Sequence, residues 1–185
     1  MNIFEQFSIA REVEIVEGQT TLDKQRILMF PVDFISLYLL KINKNVEQSK
    51  MLYNHVKSGM IEYSKPLGKD YGLTYRDFLD RWVKYSAFGG WGLVEYKLVD
   101  KDNGYGYLIV KNLPMHNYLK NNHVVSPDDV IYEALVAGSL SGTFDKDIDV
   151  IETECICSGS EACVFYWGSA EYLKDKFHDI AIKIL

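Results

Sequence analysis

The sequence predicts an α+β fold, with helices packed on a small antiparallel sheet. Three observations carry this. Apolar residues recur at helical spacing from about residue 32 to 88, and the period drops to two after "GGWG" at 89–92. Two turn-centred pairs of apolar runs follow, at 93–111 and 147–167, with a helical stretch between them. The order helices, hairpin, helix, hairpin belongs to a segregated α+β architecture rather than to alternating βαβ units.

Residues 1–24 read as a polar lead-in holding a short strand at "REVEIV", and residues 25–185 as one domain. "RILMF" (26–30) reads as a buried strand closed by Pro31. "VDFISLYLLKIN" (32–43) is apolar nearly all round, the pattern of a buried helix. Leu52, Val56, Met60 and Tyr63 share one face of a helix over about 46–65, and "KPLGKDYG" should break it. Thr74 and Asp77 form a capping box that opens an aromatic-faced helix bearing Tyr75, Phe78, Leu79, Trp82 and Tyr85.

Val94, Tyr96 and Leu98 then alternate with Glu95 and Lys97, "KDNGYG" supplies an Asn-Gly turn, and "YGYLIVKN" returns as the partner strand. "SPDDV" starts a helix over about 127–142, with Pro127 at its first position. Ala134, Gly138 and Gly142 lie on successive turns of it and allow another backbone to approach closely. "DIDVIETECIC" and "EACVFYW" form the last hairpin, and "SAEYLKDKFHDIAIKIL" closes the chain as a helix or a helix plus strand.

Composition excludes several functions. Twenty Lys and Arg against 26 Asp and Glu give a net charge of −6, and no basic block of five occurs, so nucleic acid is not an expected partner. The longest strongly apolar run, 27–40, contains Pro31 and Asp33 and falls short of the ~20 residues that span a bilayer, so no membrane partner is expected. The N-terminus lacks the pattern of a signal peptide. Three cysteines are not a disulfide framework, and a reducing cytoplasm is the simplest setting.

All three cysteines lie in "ETECICSGSEACVFYW", 152–167. With the turn centred on Gly159, Cys155 faces Cys163, Thr153 faces Phe165 and Ile151 faces Trp167. Directly opposed residues bring their Cβ atoms to about 4.5–5.5 Å, close enough for two thiolates to share a metal ion. Cys157 falls on the same face as Cys155. Buried small apolar packing, a structural metal site, and a redox pair or catalytic thiol all fit this placement.

The segment "AGSLSGTFDKDIDVIETECICSGSEACVFYW" resembles the C-terminal signature of the 4-vinyl reductase, or hydrocarbon-binding, domain family. The matching positions are Gly138, Gly142, Glu152, Cys155, Gly159, Cys163 and Phe165. The order of upstream segments is similar as well, so the resemblance covers about 25–170. It implies a fold similar to the TRAPP subunits of Golgi transport, frequent homodimers, and binding or sensing of small aromatic or hydrocarbon-like molecules. Other roles in such folds are vinyl-tetrapyrrole reduction, or an accessory part in it, and dimeric scaffolding. No nucleotide fingerprint is visible, which favours a binder over a self-sufficient enzyme, and no catalytic residue stands out.

In activator members of the family, three cysteines and a glutamate hold zinc. By position this implies Glu152, Cys155 and Cys163 as metal ligands, with Glu133 where the remaining cysteine would stand and Cys157 as a possible substitute. Strict alternation sends Glu152 and Cys155 to opposite faces, so joint ligation requires a bulge or strand end near residue 154. A ligand pocket for the small apolar molecule is expected between the helix at 75–86 and the sheet, lined by Tyr75, Phe78, Trp82, Tyr85, Phe88, Trp91 and Tyr96. His116 and His123 read as surface or capping histidines.

Overall fold

The computed structural model describes residues 13–17, 19–22, 25–27, 30–70, 74–122 and 129–178. Two antiparallel sheets are present among them. Strands β1 (Val13–Val16), β2 (Gln19–Leu22) and β3 (Gln25–Ile27) form a small meander. The main sheet holds β4 (Leu93–Asp100), β5 (Tyr105–Lys111), β6 (Asp149–Glu154) and β7 (Cys163–Gly168) in the order β4-β5-β7-β6. Six helices accompany them: α1 (Val32–Ile42), α2 (Val46–Asp70), α3 (Tyr75–Phe88), α4 (Pro114–Asn121), α5 (Val130–Phe144) and α6 (Ala170–Lys176). The fold is α+β, with helices on a small antiparallel sheet, as the periodicity predicts.

The centre of the molecule is α5, packed between α2 on one side and β6 on the other. That double burial explains why its sequence is apolar all round. The two glycines decide how close α2 comes. A Cβ on Gly138 would lie 2.4 Å from the Lys57 carbonyl oxygen, and one on Gly142 would lie 2.1 Å from Ser64 Oγ. The Tyr53 hydroxyl donates to Asp149 Oδ1 at 3.0 Å and accepts from the Val150 N–H, and Lys57 Nζ donates to the same Asp149 oxygen at 2.6 Å. These bonds lock α2 to the start of β6.

Helix α3 begins as expected, with the Thr74–Asp77 capping box intact. The Asn103-Gly104 turn also forms, with Gly104 at φ 75°. Four expectations change. Helix α2 continues through Pro66 to Asp70 rather than stopping near Lys65, because packing along α5 outweighs one missing N–H bond. Helix α5 is capped by Asp129, whose side chain accepts from the Tyr132 N–H, so its first turn starts at Val130; Ser126 and Pro127 lie outside the described residues. Helix α1 is not buried all round. Only Ser36 and Leu39 are buried, while Phe34, Leu37 and Tyr38 are exposed, since α1 rests chiefly on the short α4 and has solvent on its other sides. Helix α4 itself is an addition, since no helix is expected over 114–121. Pro114 at its first position, after Leu113, was the signal for it.

In the last hairpin the register differs from the expected one as well. Val150 pairs with Trp167, Ile151 with Tyr166 and Glu152 with Phe165, one residue away from the expected pairing of Thr153 with Phe165 and Ile151 with Trp167. The ladder then shifts between Glu152 and Glu154, so that Glu154 pairs with Val164 and Thr153 is the extra residue of a bulge.

Candidate functional site

The bulge decides the chemistry. An unbroken strand would turn Glu152 and Cys155 to opposite faces. One inserted residue brings them to the same one, the irregularity that joint ligation requires. Cys155 ends the strand and caps a 3₁₀ turn at Ile156–Ser158, which Gly159 closes at φ 101°. Cys163 opens β7 across from it. Helix α4 lies over this turn and places His116 against the sulfurs.

The result is a buried group of four: His116, Glu152, Cys155 and Cys163, whose donor atoms all lie within 4.8 Å of one another. His116 Nδ1 is 3.0 Å from Cys163 Sγ, 3.4 Å from Cys155 Sγ and 3.3 Å from Glu152 Oε1. A tetrahedral ion with bonds of about 2.0–2.3 Å separates its ligands by roughly 3.3–3.8 Å. Two of these three spacings fall in that range, and the donor types suit a zinc-like cation. Cys157 lies beside the group, its Sγ 2.8 Å from Cys155 Sγ.

His116 is a correction to the sequence reading. It is 1 % exposed rather than a surface or capping residue, and it stands where Glu133 was expected among the four. Glu133 is also buried, but its Oε1 accepts the Glu152 backbone N–H at 2.6 Å, which fixes the strand carrying Glu152. His123 lies outside the described residues.

Electrostatics make the bare group unusual. Burial pushes the Glu152 carboxyl up to about 12 and the His116 imidazole down to about 4. A hydrogen bond with Cys163, followed by burial, raises the Cys155 thiol above its ordinary value. Both Glu152 carboxyl oxygens are buried without a hydrogen-bond partner among the described residues. A divalent cation would supply the partner that the Glu152 oxygens lack and would take the carboxyl and thiol groups in their deprotonated forms, while the His116 imidazole is already neutral.

The aromatic residues expected to line a pocket form a layer between α3, α5 and the sheet. Phe78 stacks on Trp82 at 6.5 Å, Trp91 meets Tyr132 at 6.3 Å, Tyr132 meets Phe165 at 5.0 Å, and Tyr96 meets Trp167 edge-on at 5.7 Å. Tyr75 packs edge-on against Phe144 at the end of the layer. Tyr85 turns toward Arg81 instead, accepting hydrogen bonds from its guanidinium, and Phe88 is half-buried where α3 ends. Tyr132 and Trp167 join the layer without having been expected there; both sit in elements whose sequence reads simply as core. An open groove of about 480 Å³ also runs between α3 and the sheet, but Val83, Lys84, Leu93, Glu95 and Ile109 are among its walls and none of the seven expected aromatics is.

Among the described residues, three buried polar atoms in this layer have no hydrogen-bond partner: Trp82 Nε1, Tyr132 Oη and Trp167 Nε1. The Trp82 indole faces the Tyr132 hydroxyl without reaching hydrogen-bond geometry. Among the described residues no helix is long and apolar enough to cross a membrane.

No protein-family model matches the chain, and no curated protein matches it by sequence. Solved structures do. The phenol-responsive sensory domain of the transcription activator PoxR, solved with phenol, superposes with a TM-score of 0.72 at 15 % identity, over 93 % of this chain and 92 % of that one. A vinyl-4-reductase family protein from Methanocaldococcus jannaschii gives 0.48 at 18 % identity, over 76 % and 82 %. A trafficking protein particle complex subunit 3 from Naegleria fowleri, covalently bound to palmitic acid, gives 0.44 at 11 % identity, over 74 % and 89 %. The arrangement of helices and sheet described above is thus a fold that this chain shares with the PoxR domain.

Proposed function

We propose that the protein binds and senses a small aromatic molecule, with a structural zinc ion holding the adjoining hairpin. The observation that carries the reading is the set of partnerless polar atoms in the aromatic layer: Trp82 Nε1, Tyr132 Oη and Trp167 Nε1. A buried polar group without a partner costs about 1–3 kcal/mol. A ligand that is mostly apolar with one hydroxyl, as phenol is, would satisfy one or two of them while burying its ring among Phe78, Trp82, Trp91 and Tyr96. The fold shared with a phenol-responsive domain supports the same ligand class.

His116, Glu152, Cys155 and Cys163 would hold the zinc, which would supply structural cross-linking between α4, β6 and β7. Thiolate ligands suit a reducing cytoplasm. The exposed Phe30, Phe34, Leu37 and Tyr38 favour a homodimer in which a second copy covers α1.

Titration calorimetry of the zinc-loaded protein with phenol and with toluene tests the main reading. Phenol should bind more tightly than toluene. Neither ligand giving heat at millimolar concentration would refute it. Light scattering of the eluting protein reports whether it is a dimer.

A further inference from the structure

On the far side of His116 from the sulfurs lies a second feature. A cavity of about 10 Å³ sits between α1, α4 and the start of α5, with Ser36, Leu39, Met115, His116, Leu119 and Asp129 in its wall. That is the volume of one water molecule by the same measure. Three of its wall atoms, Ser36 Oγ, His116 Nε2 and Asp129 Oδ2, are buried and have no hydrogen-bond partner among the described residues. Each of the three residues is 1 % exposed. His116 Nε2 and Asp129 Oδ2 are 3.8 Å apart, too far for a direct bond and near enough for one bridging molecule.

We propose that this cavity is a one-water site joining His116 Nε2–H to Asp129 Oδ2 and Ser36 Oγ, which makes Asp129 and Ser36 positioning residues for the metal-binding imidazole. The inference rests on the reading of His116 as a zinc ligand through Nδ1. The water accepts from Nε2–H and donates to the Asp129 carboxylate and to Ser36 Oγ. A carboxylate reached in this way fixes the ring with its proton on Nε2 and leaves the Nδ1 lone pair aimed at the metal, as outer-shell carboxylates of histidine ligands do. Asp129 can serve both ends at once, because its Oδ1 caps α5 at Tyr132 N–H and only Oδ2 faces the cavity. Ser36 is the one buried polar side chain of α1, so the same water ties that helix to the metal centre.

The test uses Asp129→Asn and Ser36→Ala in the full chain. Asp129→Asn keeps the capping oxygen and replaces the cavity-facing acceptor by an N–H donor. Zinc affinity is measured by competition with a chromophoric chelator, and the wild-type cavity is inspected in a high-resolution crystal structure. Asp129→Asn should weaken zinc binding about 10- to 100-fold. Ser36→Ala should weaken it by roughly two- to fivefold, with an ordered water bonded to the three atoms in the wild type. An Asp129→Asn affinity within twofold of wild type overturns the positioning role. A large loss in Asp129→Asn with none in Ser36→Ala, and no water bonded to the three atoms in the wild-type map, overturns the water link. Wild-type protein that takes up no zinc refutes the metal reading alone. The link then stands if the water is in the map and falls if it is not.

Discussion

Replacing Cys163 by serine separates the metal from ordinary packing. Cys163 is fully buried and touches His116 Nδ1 at 3.0 Å, so serine removes a thiolate ligand from the centre of the proposed site. Zinc at a thousandfold excess over its dissociation constant stabilises the fold by about 4 kcal/mol. For a 185-residue domain each kcal/mol moves the melting temperature by about 2–4 °C, so zinc should raise it by about 8–16 °C over protein kept in chelator. Serine in this position keeps the Ile156 N–H as a potential donor to its oxygen, because that N–H points at Sγ from 3.5 Å. Its own packing cost is the same with and without zinc and cancels in the difference. The expected result is an increment near zero for Cys163→Ser against the full one for wild type, read by differential scanning calorimetry in zinc and in EDTA. A serine variant that keeps the full increment, or a wild type that shows none, refutes the assignment.

Acidity gives a second handle. In metal-free protein Glu152, pushed up from 4.5 to about 12, and Asp129, pushed up from 3.8 to about 7, keep protons that the unfolded chain releases. Their contribution is present below those unfolded values and is lost as pH rises. His116, lowered from 6.5 to about 4, acts the other way, and its contribution is lost as pH falls through that window. Between about pH 5 and 8 the carboxyls outnumber the imidazole, so urea titrations in EDTA should show stability falling with pH, while the zinc-induced gain grows. Tyr132→Phe removes a partnerless buried hydroxyl; it should leave stability unchanged or slightly higher and weaken phenol binding several-fold relative to toluene, by calorimetry. Gly142→Ala should cost about 1–2 kcal/mol in urea, because a Cβ 2.1 Å from Ser64 Oγ forces α2 and α5 apart by more than the gain in helix propensity restores.

Most elements of the fold are legible because their signals are local. The Thr74–Asp77 box, the Asn103-Gly104 turn and the change from period 3.6 to period two each lie within a few residues of what they specify. The small residues at Gly138 and Gly142 announce a close helix contact, though not that α2 makes it. Where the sequence reading failed, a distant partner decided the outcome. Helix α2 runs through Pro66 because α5 supports it, and α1 looks like a core helix although only Ser36 and Leu39 reach the interior.

The candidate metal centre divides along the same line. By itself the chain determined that Glu152, Cys155 and Cys163 lie on one hairpin, and that a bulge is needed for them to act together. Only the tertiary structure placed that bulge at Thr153, and only it brought in His116, which is 47 residues from Cys163 and 39 from Cys155. The physical reason is that hydrogen-bond register and side-chain alternation are set by neighbours in sequence. The fourth donor arrives through helix α4 packing on the hairpin turn, and no short-range pattern encodes that contact.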